Sequence, residues 1–302
     1  MTTLWTRRRG GLRRRDGRAA LLFAAPAYLL FLAFVLIPAL VTFGLSFTYY
    51  DRLASGPQWV GLENYSYMFS DPRVWQIFGN TLVFTVVATS LNVGLGMLLA
   101  LLLDRRMPRP LLYLLRLAYF LPVLTATAFV VPIWQFLYST DLGVINYFLR
   151  AAGLEGVGWL TSERLALLSV IIMDVWKNVG FFMVILLAAL QGIPRDVLEA
   201  ATLDGAGPAT VFWRIKLPML SPVLFFCVTF ASIGALQVFD STRLLTGGGP
   251  GDATRSVAMY MYEAAFGQQD IGSGAAVALV LLLLVAGVTA FQFYAARRWV
   301  QS

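Results

Sequence analysis

Apolar residues run along this chain in long blocks, interrupted by short polar stretches rather than alternating with them. A helix needs about 20 apolar residues to cross roughly 30 Å of hydrocarbon. Six segments reach that scale: Leu21 to Phe47, Thr81 to Leu103, Leu112 to Leu137, Leu165 to Leu190, Pro222 to Val238 and Gly274 to Ala295. The pattern predicts an all-α integral membrane protein, one domain over residues 1–302 with a six-helix core at 21–295. Gln237 and Asp240 blur the end of the fifth block, and Pro122 and Pro132 should kink the third. Bilayer helices tolerate such kinks where neighbours or water take up the freed carbonyls.

Between the fourth and fifth blocks lies a polar island, Glu199 to Pro218, within the loop 196–218. Ile193-Pro194 stops the preceding helix, and Asp196 offers an N-cap with Glu199 at the capping-box offset. A short helix is expected over Val197–Leu203, with Ala200 and Ala201 as its small face. Gly205 and Gly207 break it, and Pro208 suits the first turn of a second helix that runs to Lys216. Pro218 then turns the chain back towards the membrane.

Composition supports a lipid-facing surface. Charged residues make up 13% of the chain, against about 25% in a soluble domain, and the mean hydropathy is +0.73. There is no histidine, and Cys227 is the single cysteine. An intrachain disulfide and a Cys/His zinc site are thereby excluded, and Cys227, set in an apolar run, reads as packing material. No metal or nucleophile constellation is visible, so no catalytic residue is assigned.

The net charge of +7 comes mainly from Arg7, Arg8, Arg9, Arg13, Arg14, Arg15 and Arg18, all ahead of the first block. That block is too long for a signal-peptide core, so a retained signal-anchor helix is expected. Arg105, Arg106, Arg109 and Arg116 follow the second block; Arg195, Arg214 and Lys216 follow the fourth; Arg297 and Arg298 close the chain. The remaining loops carry only pairs of basic residues, offset by acids. By the positive-inside rule both termini and the island face the cytoplasm.

In the other loops, Trp59-Val60-Gly61-Leu62-Glu63-Asn64-Tyr65 leads into Tyr65, Phe69 and Trp75 at helical spacing, which predicts one interfacial helix. The glycines of 139–164 predict a tight fold, and Leu245-Thr246-Gly247-Gly248-Gly249-Pro250-Gly251 a sharp turn. No internal repeat supports an inverted-repeat secondary transporter.

The island admits two readings. It could lie on lipid headgroups, but interfacial helices favour basic polar faces. Here Asp196, Glu199 and Asp204 balance Arg195, Arg214 and Lys216, which suits a docked protein better. Glu199-Ala200-Ala201, Gly205 and Ile215-x-Leu217-Pro218 resemble the EAA signature of binding-protein-dependent ABC importer permeases at every spacing. Trp59 to Tyr65, Asp174-x-Trp176-Lys177-Asn178, Leu190-Gln191-Gly192-Ile193-Pro194 and Leu245 to Pro250 resemble the sugar-permease branch, on its MalF-like side. With six expected spans, the chain is expected to lack the extra N-terminal helices and large insert of maltose-type members.

The resemblance implies a multi-pass subunit of the bacterial or archaeal cytoplasmic (inner) membrane. Its implied partners are a second related permease, two cytoplasmic ATPase subunits and an extracytoplasmic solute-binding protein. Glu199, Ala200, Ala201, Asp204, Gly205, Ile215, Leu217 and Pro218 would form the ATPase-coupling loop. Neither Lys177 nor Lys216 lies in a G-x-x-x-x-G-K-[ST] context. No cofactor is therefore expected in this chain; ATP and magnesium would be bound by the ATPase.

Asp174 and Lys177 lie one turn apart inside the fourth block, where an ionised group costs on the order of 2.5–3.5 kcal/mol. They could pair as a structural ion pair or face a water-accessible path, with Asp174, Lys177 and Asn178 offering polar contacts and Phe181 and Trp134 offering aromatic faces. The resemblance places the solute path near Val123, Thr127, Asp174, Lys177, Asn178, Phe181, Gly234, Ala235 and Val238. The last three are poor in polar chemistry, which brings in Gln237 and Asp240. A sugar or oligosaccharide is the expected cargo. Glycerol 3-phosphate is the alternative, with Lys177 or Arg243 for its anion. An ion-coupled transporter using Asp174 and a membrane-embedded enzyme are the competing classes.

Overall fold

The computed structural model describes residues 22–50, 56–105 and 107–297. The N-terminal arginines, Arg52, Arg106 and Arg298 lie outside them. The first apolar block is α1 (Leu22–Leu45), followed by a two-stranded antiparallel ribbon of β1 (Thr48–Tyr49) and β2 (Gln58–Trp59). Then come α2 (Glu63–Ser70), α3 (Pro72–Leu103), α4 (Arg109–Leu124), α5 (Thr127–Leu137), α6 (Val144–Ala151) and α7 (Glu163–Gln191). The polar island forms α8 (Arg195–Leu203) and α9 (Pro208–Met219), and the chain continues as α10 (Ser221–Leu236), α11 (Asp240–Thr246), α12 (Val257–Tyr262) and α13 (Ile271–Ala296).

Helices α1, α3, α7 and α13 are each long and apolar enough to cross a membrane. Two further helix pairs are long and apolar enough only when taken together, and each is sharply bent: α4 meets α5 at 102°, and α9 meets α10 at 68°. The protein is thus mostly helical, with four to six candidate membrane helices.

Local chemistry explains where the elements depart from the sequence pattern. The expected interfacial helix is two helices, because Asp71 precedes Pro72, which disfavours the α region for the residue before it. Asp71 is extended (ψ 115°) and caps α3 by accepting from the Arg73 N–H at 2.9 Å. Trp75 therefore belongs to α3 and reaches back, its Nε1 donating to the Phe69 carbonyl at 3.2 Å. The third block breaks after Pro122, at extended Thr125 and Ala126; Pro132 is carried inside α5 without a break. The expected capping box does not form. Pro194 occupies the N-cap of α8 with no side-chain bond, so Asp196 falls inside the first turn. The chain turns at Leu220, two residues beyond Pro218.

Lipid tails are as apolar as leucine, so helices in a bilayer associate through close packing over small residues rather than through burial from water. Helices α3 and α7 form the spine. A Cβ on Gly96 would stand 2.8 Å from Phe182 Cβ and 3.1 Å from the Met183 nitrogen, and one on Gly180 would stand 3.1 Å from Phe120 Cα on α4. Two cores flank this spine. One gathers Phe84, Val131, Trp134, Tyr138, Ile171 and Met173; the other gathers Met97, Phe182, Met183, Leu186, Leu220 and Cys227.

The loop 139–164 folds on Asn146, whose amide serves the carbonyls of Ser139, Thr140 and Val157 and accepts from Val157 N–H and Trp159 Nε1. After α11, Gly247 (φ 61°) and Gly248 (φ 86°) reverse the chain. The returning segment is pinned to α3 through Asn80 and Gln76, which donate to the Asp252 and Gly251 carbonyls.

Candidate functional site

Two features stand out: the loop carrying α8 and α9, and a cavity midway along the helical spine. In the loop, Glu199 and Ala200 are exposed on α8, while Ala201 is buried. Asp204 ends that helix, its N–H donating to the Ala200 carbonyl. Gly205 then turns the chain with φ 79° and open space around it, a backbone state that glycine adopts without strain. Ile215, Leu217 and Pro218 are half-buried on α9. Glu199 shares a shallow cleft of about 460 Å³ with Arg195, Leu198, Thr202 and Leu203.

Lys216 Nζ lies 3.2 Å from Asp104 Oδ2, so the end of α3 is tied to α9. Both side chains are about one-quarter exposed or less (21% and 25%), and a pair of that kind contributes about 0.5 kcal/mol. Asp104→Asn should lower the thermal midpoint slightly, and the charge exchange D104K/K216D should recover most of the loss. A double-mutant cycle on thermal unfolding measures this; additive losses would show that the two charges do not interact.

The cavity has a volume of about 430 Å³ and lies where the two cores meet. Helix α3 contributes Phe84 and Asn92; α4 contributes Val123; α7 contributes Asp174, Asn178, Phe181 and Phe182; α10 contributes Phe230, Ala231, Gly234 and Ala235, followed by Val238. Asp174 is eleven residues into α7, roughly 16 Å along its axis at 1.5 Å per residue. Phe181 and Phe230 face each other with ring centroids 5.2 Å apart and planes inclined at 31°. Polar groups gather at one edge: Ser241 Oγ donates to Asp174 Oδ1 at 3.0 Å, and Asn178 Nδ2 donates to the Asp174 carbonyl at 3.0 Å. The result is an aromatic face beside a hydrogen-bonding edge.

Of the positions expected along the path, Asp174, Asn178, Phe181, Val123, Gly234, Ala235 and Val238 line this cavity. Thr127, at the start of α5, and Lys177 are half-buried and lie outside its lining. Lys177 is not within ion-pair distance of Asp174; among the described residues the ion pairs lie elsewhere. Of the two readings open for Asp174 and Lys177, the ion pair does not form, and Asp174 instead accepts from Ser241. Trp134 is core, packed on Tyr138 and Trp176 with centroids 5.2 and 5.6 Å away. Gln237 caps α10 and lines a separate cleft of about 390 Å³ with Phe239 and Met261. Asp240 is exposed at the start of α11.

Sequence reasoning missed Phe84, Asn92, Phe230 and Ser241. Asn92 had a signal, since an amide inside an apolar span is by default a functional candidate. Ser241 had none, because its partner lies 67 residues away. Helix α11 is held from its other side by a ladder of charges. Arg243 pairs with Glu263 at 3.2 Å, Glu263 with Arg255 at 3.2 Å, Arg255 with Asp252 at 2.5 Å, and Asp252 with Arg73 at 2.9 Å. The same short helix thus holds the cavity residue Asp174 through Ser241 and joins the ladder through Arg243.

The family described as "binding-protein-dependent transport system inner membrane component" matches residues 92–301. This chain belongs to that family. It is an ABC importer permease, a multi-pass membrane component of a transporter. Among its relatives, the sulfoquinovosyl glycerol transport system permease protein SmoG of Agrobacterium fabrum is 34% identical over 276 residues, covering 91% of this permease and 89% of its own length. The trehalose/maltose transport system permease protein MalF of Thermococcus litoralis is 34% identical over 278 residues, covering 92% and 93%. A chain from a bacterial ABC transporter involved in the import of the acidic polysaccharide alginate shares the permease fold, with a TM-score of 0.83 at 22% identity over 96% of this chain and 99% of that one.

Proposed function

We propose that this permease forms half of the translocation path for an uncharged sugar or oligosaccharide in an ATP-driven importer. The observation that carries the reading is the cavity itself: the Phe181–Phe230 aromatic face beside the Asp174–Asn178 edge. Sugars present apolar C–H faces and hydroxyl rims, so a stacking surface next to donors and acceptors suits them. Glycerol 3-phosphate is the weaker fit. Asp174 is the one ionisable residue in the lining, which holds no cation, and Arg243 is engaged by Glu263.

In this reading the chain crosses the bilayer six times, with α4–α5 and α9–α10 each as one broken span. Both termini and the α8–α9 loop face the cytoplasm. A second permease completes the path, and Glu199, Ala200, Ala201, Asp204, Gly205, Ile215, Leu217 and Pro218 form the coupling surface for one of two ATPase subunits. An extracytoplasmic binding protein delivers the solute. ATP and magnesium belong to the ATPases.

The test is to purify the chain from its native membrane with its partners and reconstitute the assembly in vesicles with the cognate binding protein. Radiolabelled maltose, trehalose, raffinose and glycerol 3-phosphate are then offered. ATP-dependent accumulation of a sugar is expected. Accumulation of glycerol 3-phosphate alone would move the reading to the anion, and uptake lost to an ionophore but insensitive to ATP depletion would end it. Within the same assay Phe181→Ala should lower sugar uptake about tenfold, the scale of one lost stacking contact. Asp174→Asn, which can still accept from Ser241, should change selectivity while leaving assembly intact. Loss of assembly in that variant would mark Asp174 as structural.

A further inference from the structure

Asn92 sits within the apolar helix α3, is 4% exposed, and lines the cavity, as Phe84 does two turns earlier. Its Oδ1 is enclosed and has no hydrogen-bond partner. Each other asparagine among the described residues is engaged. Asn64 donates to the Ser46 and Thr48 carbonyls, Asn80 to those of Asp252 and Arg255, Asn178 to that of Asp174, and Asn146 carries a full set of bonds. Buried amides are almost always paired, and an orphan calls for a reason. Packing supplies none: the apolar lining that Asn92 shares, Phe84, Phe182 and Ala231, cannot hydrogen-bond through its side chains, and Thr89 Oγ1, one turn earlier on α3, is likewise buried without a partner, so the two do not serve each other. The Asp174 edge is already served by Ser241.

We propose that Asn92 is an unpaired hydrogen-bonding group of the cavity wall, whose amide turns to meet a hydroxyl of the passing solute. The proposal rests on the cavity being the translocation path. An amide offers a donor and an acceptor whichever way it is turned, and a hydroxyl can satisfy both. A cation or a phosphate would satisfy only one. A site built around such a pair discriminates strongly against analogues that lack the hydroxyl. Asn92 would thus add a polar contact from α3 to the edge formed by α7.

The experiment uses the assembled importer carrying Cys227→Ala, so that no native thiol in this chain reacts. Single cysteines are introduced as N92C, as G234C on the cavity wall, and as A88C, at a residue 1% exposed in the core of the same helix. Labelling with water-soluble aminoethyl methanethiosulfonate is followed by mass. N92C should react about tenfold or more faster than A88C, because a packed thiol reacts only when its surroundings open. N92C as slow as A88C, with G234C reacting, overturns the proposal alone; N92C and G234C both unreactive overturns the path as well. Asn92→Leu supplies the second measurement. With no protein partner to lose, it should leave the thermal midpoint of the complex unchanged or raised; a clear drop reveals a structural partner and also overturns the proposal. With radiolabelled maltose and trehalose as probes, Asn92→Leu should cut uptake about tenfold; unchanged uptake counts against it equally.

Discussion

Gly180→Val is expected to abolish recovery of the folded permease. A Cβ at this position meets the Tyr119 carbonyl group and stands 3.1 Å from Phe120 Cα, all of it α4 backbone. A flexible side chain could swing aside, but a helix backbone moves only as a body. Overpacking of side chains costs about 1–3 kcal/mol; here α4 itself must shift away from α7, so a loss of about 3 kcal/mol or more is expected. The shift would also draw Val123 out of the cavity wall, so any protein that survives should transport poorly. Gly94→Val is the matched control. It lies on α3 with nothing within 4 Å of its Cβ position, and it should be recovered like the wild type. Size-exclusion yield and thermal midpoint, measured on both variants, decide the matter. Equal recovery would mean that α4 does not rest on Gly180.

The six apolar blocks were legible because run length alone encodes a bilayer crossing. Four of them are long helices with ends a few residues away from the pattern; α3 in particular starts nine residues earlier than expected, at Pro72. The bends were not legible. Pro122 and Pro132 look alike in the sequence, yet only the first adjoins a break. What separates them is tertiary: α4 is set against α7 at Gly180, while α5 packs Val130, Val131 and Trp134 into the core. The loop of α8 and α9 was read correctly as two short helices around Gly205, because a glycine break and Pro208 are local signals. Its first cap was misread because Pro194 takes the N-cap position.

The cavity shows the same limit. Asp174, Asn178 and Phe181 were reached through spacing on one helix and through family resemblance, and all three line it. The i,i+3 spacing of Asp174 and Lys177 left an ion pair open as an alternative, by a rule that describes an isolated helix. In the folded chain a hydroxyl from α11 takes the carboxylate instead. Trp134, expected to offer an aromatic face to the solute, is instead packed on Tyr138 and Trp176 and does not line the cavity.

Gly205→Val should leave the membrane domain intact and separate ATP hydrolysis from uptake. The position is exposed, with nothing within 4 Å of its Cβ, so the requirement for glycine is not one of space. It is conformational: φ is 79°, where an L-residue pays roughly 1–2 kcal/mol and a β-branched one is a true outlier. Valine would relieve that strain by pulling the Gly205 junction towards a right-handed or extended shape, which changes the angle between α8 and α9. Those two helices carry the proposed contact with the ATPase, and α9 leads directly into α10, which lines the cavity. At the proposed contact, a wrongly angled junction would still be bound by the ATPase but would transmit its motion poorly. In reconstituted vesicles solute uptake should fall about tenfold, matching a misalignment of about 1.4 kcal/mol, while ATP hydrolysis persists. Gly205→Asn separates conformation from every other explanation, because asparagine tolerates the left-handed region far better than valine. It should retain most of the coupling. If both variants transport normally the junction does not act as a lever; if both fail alike, side-chain bulk at the ATPase contact, and not backbone shape, is what the glycine excludes.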